Sequence, residues 1–205
     1  MSEPLSPAPR HLRVYPWPSA VLPGLDAVWT EHYTGPADLP RSLEPPVDMN
    51  ATKRIASLGL LRHPEGGWFR ETYRSQATVD GQRAVCTAIY FLLEAGELSH
   101  LHRIDADELW HHYEGTCLRI HVFDEQGYRA ITLGPLSHAG ATPQCWVPAG
   151  AWFGAEVIDA TGYALVGCTV APGFEFARFE LARGEALATQ WPEQRPLIER
   201  LTLAR

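Results

Sequence analysis

The sequence predicts an all-β fold, an antiparallel barrel or jelly roll, and three observations carry that expectation. From residue 67 onward the apolar pattern repeats every two residues, in short runs. Glycine- and aspartate-bearing turns separate the runs at close intervals. Helical patterning is confined to the flanks of this region, which leaves strands to build the core.

Residues 1–49 stand apart. Residues 1–48 hold ten of the 17 prolines, a density that forbids regular ladders and helices. Tyr15, Trp17, Trp29 and Tyr33 lie among them, and free tails are poor in aromatics. We expect an extended proline-rich arm packed on the main domain or on a partner subunit, with a free tail as the alternative. The domain proper is then 50–205.

Residues 50–61 read as a short helix. Asn50 or Thr52 can cap it, Ile55, Leu58 and Leu61 share a face, and Gly59 marks its end. GWFRETYRS follows as a strand candidate, and Asp80-Gly81 as the centre of a hairpin turn. Residues 84–94 read as one buried strand. Further strands are expected over 98–104, 107–113, 116–123, 128–133, 145–150, 151–158 and 164–171, with a turn at 124–127. The end reads as one or two short helices, with Pro192 and Pro196 at starts or breaks.

The chain has 205 residues and a net charge of −7, which argues against a nucleic-acid backbone or an anionic membrane as partner. Lys53 is the single lysine and sits at a polar helix start, a poor place for Schiff-base chemistry. Cys86, Cys117, Cys145 and Cys168 form no CxxC motif and read as reduced core thiols. The longest apolar run, AIYFLL, is too short to span a bilayer, and the N-terminus lacks a signal-peptide core. A reduced, cytoplasmic protein is expected.

The chemistry concentrates in HLHRIDADELWHHYEG, residues 100–115, with four histidines in sixteen residues. Strict alternation puts His100 and His102 on one side of a strand, and Glu108, Trp110 and His112 on one side of the next. Such a cluster suits proton transfer or metal binding. His111 falls on the opposite face unless a bulge turns it inward; it is a structural histidine or a third catalytic group. Glu65, in HPEGG, is either part of a tight turn or a group reaching the pocket mouth. Trp110, Trp152 and Phe153 could wall a pocket, and Arg119 is an anion-binding candidate.

HPEGGWFRETYRS (63–75), LHRIDADELWHHYEG (101–115), VPAGAWFGAEV (147–157) and GCTVAPGFEFARFEL (167–181) together resemble one cupin family of unknown function, Cupin_5, over about residues 52–204. Its relatives look like the dTDP-sugar 3,5-epimerase branch of cupins. The resemblance implies a cupin jelly-roll β-barrel with short flanking helices, commonly dimeric, with a pocket between the two motif strands. It aligns His102 with the base of the sugar epimerases.

The resemblance does not carry over the usual metal set. The gap from His102 to Glu108 is long for a cupin motif. If His102 is taken as first ligand, the second position is Ile104, and the second motif places Phe153 where a histidine is usual. A partial site of His100, His102, Glu108 and His112 could still hold iron, manganese, nickel or zinc.

Three functions are therefore expected to compete. The leading one is an isomerase- or epimerase-like enzyme for a small polar metabolite, a sugar or keto compound, needing no cofactor. In it His102 is the general base, Glu108 its orienting or acid partner, and His111 a further catalytic candidate. Trp110, His112, Phe153, Trp152, Glu65 and Arg119 would contact substrate. The others are a metal-dependent dioxygenase-type cupin and a non-catalytic small-molecule sensor. A homodimer is expected in each case.

Overall fold

Asn50 opens the first regular element of the computed structural model, which describes residues 50–203. The proline-rich arm lies outside the described residues. The Asn50 side chain accepts from the Lys53 amide and caps helix α1, Ala51–Leu58. Gly59 ends the helix in the left-handed region. The helix is shorter than expected, so Leu61 is 68% exposed on the next strand and Leu60 is the buried residue instead.

Thirteen strands follow: β1 (Leu61–Arg62), β2 (Trp68–Arg74), β3 (Thr78–Val79), β4 (Arg83–Ala84), β5 (Thr87–Glu94), β6 (Leu98–Arg103), β7 (Asp107–Gly115), β8 (Leu118–Asp124), β9 (Gly127–Leu133), β10 (Gln144–Val147), β11 (Trp152–Val157), β12 (Tyr163–Ala171) and β13 (Glu180–Leu181). They form two antiparallel sheets, β1-β2-β5-β12-β7-β10 and β13-β6-β11-β8-β9, and a small β3-β4 hairpin. This is the expected all-β jelly roll. The hairpin turns at Asp80 and Gly81, both with positive φ, as its Asp-Gly sequence requires. The expected 84–94 strand is broken after Ala84, so β4 belongs to the hairpin and β5 to the large sheet.

The main core lies between the sheets. Phe91 and Leu93 of β5, Trp110 of β7, Ile120 and Val122 of β8, Phe153 of β11 and Val166 of β12 meet there. A second cluster lies where Leu101 and Phe123 of the smaller sheet pack with helices α2 (Gly184–Gln190) and α3 (Arg195–Leu201). A third, with Leu92, Tyr163 and Leu165 of the larger sheet, packs beside α1. β5 and β12 thus bury side chains on both faces, which explains their nearly unbroken apolar runs.

Two irregularities in the ladders decide which side chains face inward. Between β6 and β11, Phe153 pairs with His102 but Ala155 with Ser99, so β6 carries an extra residue. Between β7 and β12, Leu165 pairs with Glu114 but Val166 with His112, which leaves Tyr113 extra. Each is a β-bulge, and each interrupts period-two alternation.

Candidate functional site

A cavity of about 400 Å³ opens at one end of the barrel. His63 and Glu65 enter it from the turn between β1 and β2, His102 from β6, Glu108 and Trp110 from β7, and Cys168 from β12. Phe69, Ile89, Phe91, Ile104 and Val170 add an apolar wall, and Phe174 and Phe176 close one side.

The turn exists because HPEGG supplies two glycines where the backbone needs positive φ. The Gly66 amide donates to the His63 carbonyl at 3.0 Å, and the His63 amide to the Gly67 carbonyl at 3.1 Å. The turn is stitched to β6 by His100, whose amide and ring Nδ1 both meet the Glu65 carbonyl, at 2.8 and 2.7 Å. That fixes the Glu65 carboxyl, only 6% exposed, inside the cavity. Its Oε1 accepts from the Ser99 hydroxyl at 2.8 Å. Its Oε2 lies 3.2 Å from His63 Nδ1 and 3.3 Å from His102 Nε2.

His102 is 3% exposed and its ring packs on Phe153 at 4.1 Å between centroids. Its Nδ1 is 2.8 Å from the His100 carbonyl, which can only accept, so Nδ1 carries the proton. Nε2 is the nitrogen that gains or loses a proton, and it faces Glu65 Oε2 at 3.3 Å. Burial lowers the His102 pKa, against the Glu65 charge and the hydrogen bond to the His100 carbonyl, so the ring is neutral at rest. Burial acts to raise Glu65, yet the attraction of His102 in its protonated form, the contact with His63 and the Ser99 hydroxyl outweigh it and hold that carboxyl below its ordinary value. Glu108 goes the other way. Burial first, then the Glu65 charge, push it up to about 8, against a hydrogen bond with Cys168. The Cys168 thiol is pushed well up, chiefly by burial, and stays protonated.

Near pH 7 the cavity therefore holds a Glu65 drawn low and a Glu108 pushed high, together with a His102 whose burial disfavours its charge. Environments that drive two carboxyls apart leave one able to donate a proton and the other able to hold a positive charge beside it. Trp110, 1% exposed, stands beside them edge-on to Phe91 and Phe153, and among the described residues its buried Nε1 has no hydrogen-bond partner.

Of the expected site residues, His102, Glu108, Trp110 and Glu65 line this cavity. The others do not. His100 was expected to share a face with His102, but the β6 bulge separates them, and its ring clamps the Glu65 turn. His112 lies one two-residue step beyond Trp110 on β7, where Nε2 meets the Thr116 carbonyl at 3.2 Å. His111 pairs in register with Gly167 and Gln144 and falls on the other face, as strict alternation gives. Phe153 backs the His102 and Trp110 rings rather than the opening. Trp152 packs with the helical cluster under Arg103, so of the two tryptophans expected at the pocket wall only Trp110 lines the cavity. Arg119 is exposed on β8.

The expected metal set is likewise not assembled. Among the described residues no three His, Cys, Asp or Glu side chains form a metal-holding group. His100 and His112 are each turned to a carbonyl, and an aromatic ring stands at Phe153. The residues present do not fit a cupin metal centre.

Sequence reasoning missed His63, Ser99, Cys168 and the Phe174–Phe176 wall. His63 was detectable, since it stands two residues from an acid in a turn that two glycines force back on itself. The alternating aromatics of GFEFARF were a second signal. Ser99 and Cys168 look like ordinary strand residues and carried none.

The fold and the site define a single-barrel cupin with a cavity that buries two carboxyls and an imidazole. The chain matches the Cupin_5 family, described as Cupin superfamily (DUF985), over residues 52–182, and it belongs to that family. Two solved structures are similar to this chain. A protein from Shewanella oneidensis is 40% identical with TM-score 0.71, and the match covers 76% of this chain and 99% of that one. A hypothetical protein from Leishmania major is 34% identical with TM-score 0.70, over the same shares. No curated protein matches the chain.

Proposed function

We propose that this protein is an isomerase- or epimerase-like enzyme that moves a proton at a carbon next to a carbonyl. The observation that carries this reading is the pair of buried carboxyls with opposite pKa shifts, Glu65 and Glu108, in one cavity with His102 Nε2. His102 Nε2 takes the proton from carbon as general base. The bonding pair moves into the carbonyl, whose oxygen receives a hydrogen bond, or the proton itself, from Glu108. Glu65, 3.3 Å from Nε2, stabilises the imidazolium as it forms. Return of a proton to carbon, on either face or at the neighbouring atom, completes an epimerisation or isomerisation.

The test is deuterium wash-in. Proton NMR in D2O, run on small keto compounds, should show exchange at the carbon beside the carbonyl in the presence of the protein. His102→Asn should slow that exchange by about 10²-fold or more with an unchanged circular dichroism spectrum. Tight binding of such a compound without wash-in would turn the reading into that of a sensor. Activity abolished by chelator and restored by iron, manganese, nickel or zinc would overturn it in favour of a metal enzyme.

A further inference from the structure

The charge inventory of the cavity narrows the class of ligand. Four carboxyls line it: Glu65 and Glu108 inside, Glu71 and Glu175 nearer the opening. Among the described lining residues Arg74 is the one permanent cation. It is already committed, because its Nε and Nη2 donate to Glu71 at 3.0 and 2.7 Å and Nη2 also to the Phe174 carbonyl at 3.1 Å. A bidentate arginine–carboxylate pair leaves little of the fork for a phosphate. The Glu65 oxygens are also occupied, one by the Ser99 hydroxyl and the other flanked by the His63 and His102 rings, so a ligand ammonium would have to displace a neighbour to reach them. What remains unpartnered is the Trp110 N–H, which wants an acceptor.

The walls give the shape. His63 is ringed by phenylalanines, edge-on to Phe69 at 4.6 Å and stacked on Phe176 at 5.9 Å. Phe176 is 55% exposed, with its neighbour Phe174 edge-on at 5.0 Å. Flat aromatic surfaces at an opening favour a flat apolar body and give a polyhydroxylated sugar too few partners.

We propose that the cavity takes an uncharged carbonyl compound with a ring-sized apolar body, and discriminates against phosphorylated and carboxylated compounds. The carbonyl rests on the proton-transfer reading above; the exclusion of anions rests on the charges alone. A nucleotide sugar is therefore not the substrate, although the relatives suggested by the sequence use one.

Ligand-detected NMR titrations of the full chain at pH 7 with acetophenone, benzoate and phenyl phosphate test this. Acetophenone should bind at least roughly tenfold more tightly than either anion. Glu71→Gln should release Arg74 and raise phenyl phosphate affinity roughly threefold, with acetophenone unchanged. Equal or tighter binding of either anion by the wild type overturns the proposal, as does failure of acetophenone to bind. Acetophenone that binds without deuterium wash-in leaves the ligand class standing and sinks only the proposed reaction.

Discussion

Glu108 is the residue on which the site's pH behaviour turns. Its folded pKa of about 8 stands above the ordinary value of 4.5. Below pH 4.5 both folded and unfolded forms hold the proton and nothing is lost. As pH rises toward 8 the unfolded chain ionises while the folded one cannot, so stability falls, by up to roughly 5 kcal/mol for a shift of this size. Glu108→Gln removes that slope. Urea unfolding at pH 5 and pH 8 should show the variant gaining on the wild type at the higher pH. Turnover shows the matching limb: it should decline above about pH 8 as the acid ionises, and at acid pH as His102, lowered below 6.5, takes up a proton. A rate that keeps rising through pH 9 would remove Glu108 as the acid.

At the scale of elements, the β1–β2 turn and the β6 bulge together build the site. Gly66 sits at φ +107°, and a Cβ there would lie 2.0 Å from the Leu98 carbonyl oxygen. Neither the backbone angle nor the adjacent strand can absorb a methyl group. Gly66→Ala should cost roughly 3 kcal/mol or more in thermal or urea unfolding. It should also abolish proton transfer, because the turn that carries Glu65 would leave His100. His100→Ala is milder. It removes one ring contact to the Glu65 carbonyl but spares the backbone bond, so activity should fall further than stability. A fully active His100→Ala would show that the clamp is not needed.

At the scale of the molecule, the smaller sheet is backed by α2 and α3, and Arg200 of α3 pairs with Glu156 of β11, Nη2 to Oε1 at 2.9 Å. The larger sheet is served differently. α1 packs beside one part of it, while Tyr73, Tyr113 and Trp146 are all more than half exposed. Uncovered aromatics on a broad sheet are the kind of surface a second copy covers. We propose a homodimer through this sheet. Light scattering at micromolar concentration should give about twice 22.8 kDa, and a mass near that of one chain would refute it. No helix among the described residues is long and apolar enough to cross a membrane.

The sequence by itself determined the all-β jelly roll, the stretches of chain that form most of its strands and the segment in which the candidate site residues concentrate. Alternation, turn residues and caps are local signals: Asn50 and Gly59 bound the helix and Asp80-Gly81 turns the hairpin where the sequence predicts. Glu108 and Trp110 were legible because β7 keeps period two up to those positions, and His102 was legible from its leucine–histidine context rather than from alternation. Only the tertiary structure decided the rest. One extra residue in β6 separates His100 from His102, and nothing in HLH announces a bulge, which is set by the register of the partner strand. Glu65 looked more like a turn residue than a pocket residue, because only folding brings a loop 34 residues away onto Ser99. The charge states are tertiary too. Burial and the distance between two carboxyls set them, and neither quantity exists in the chain before it closes.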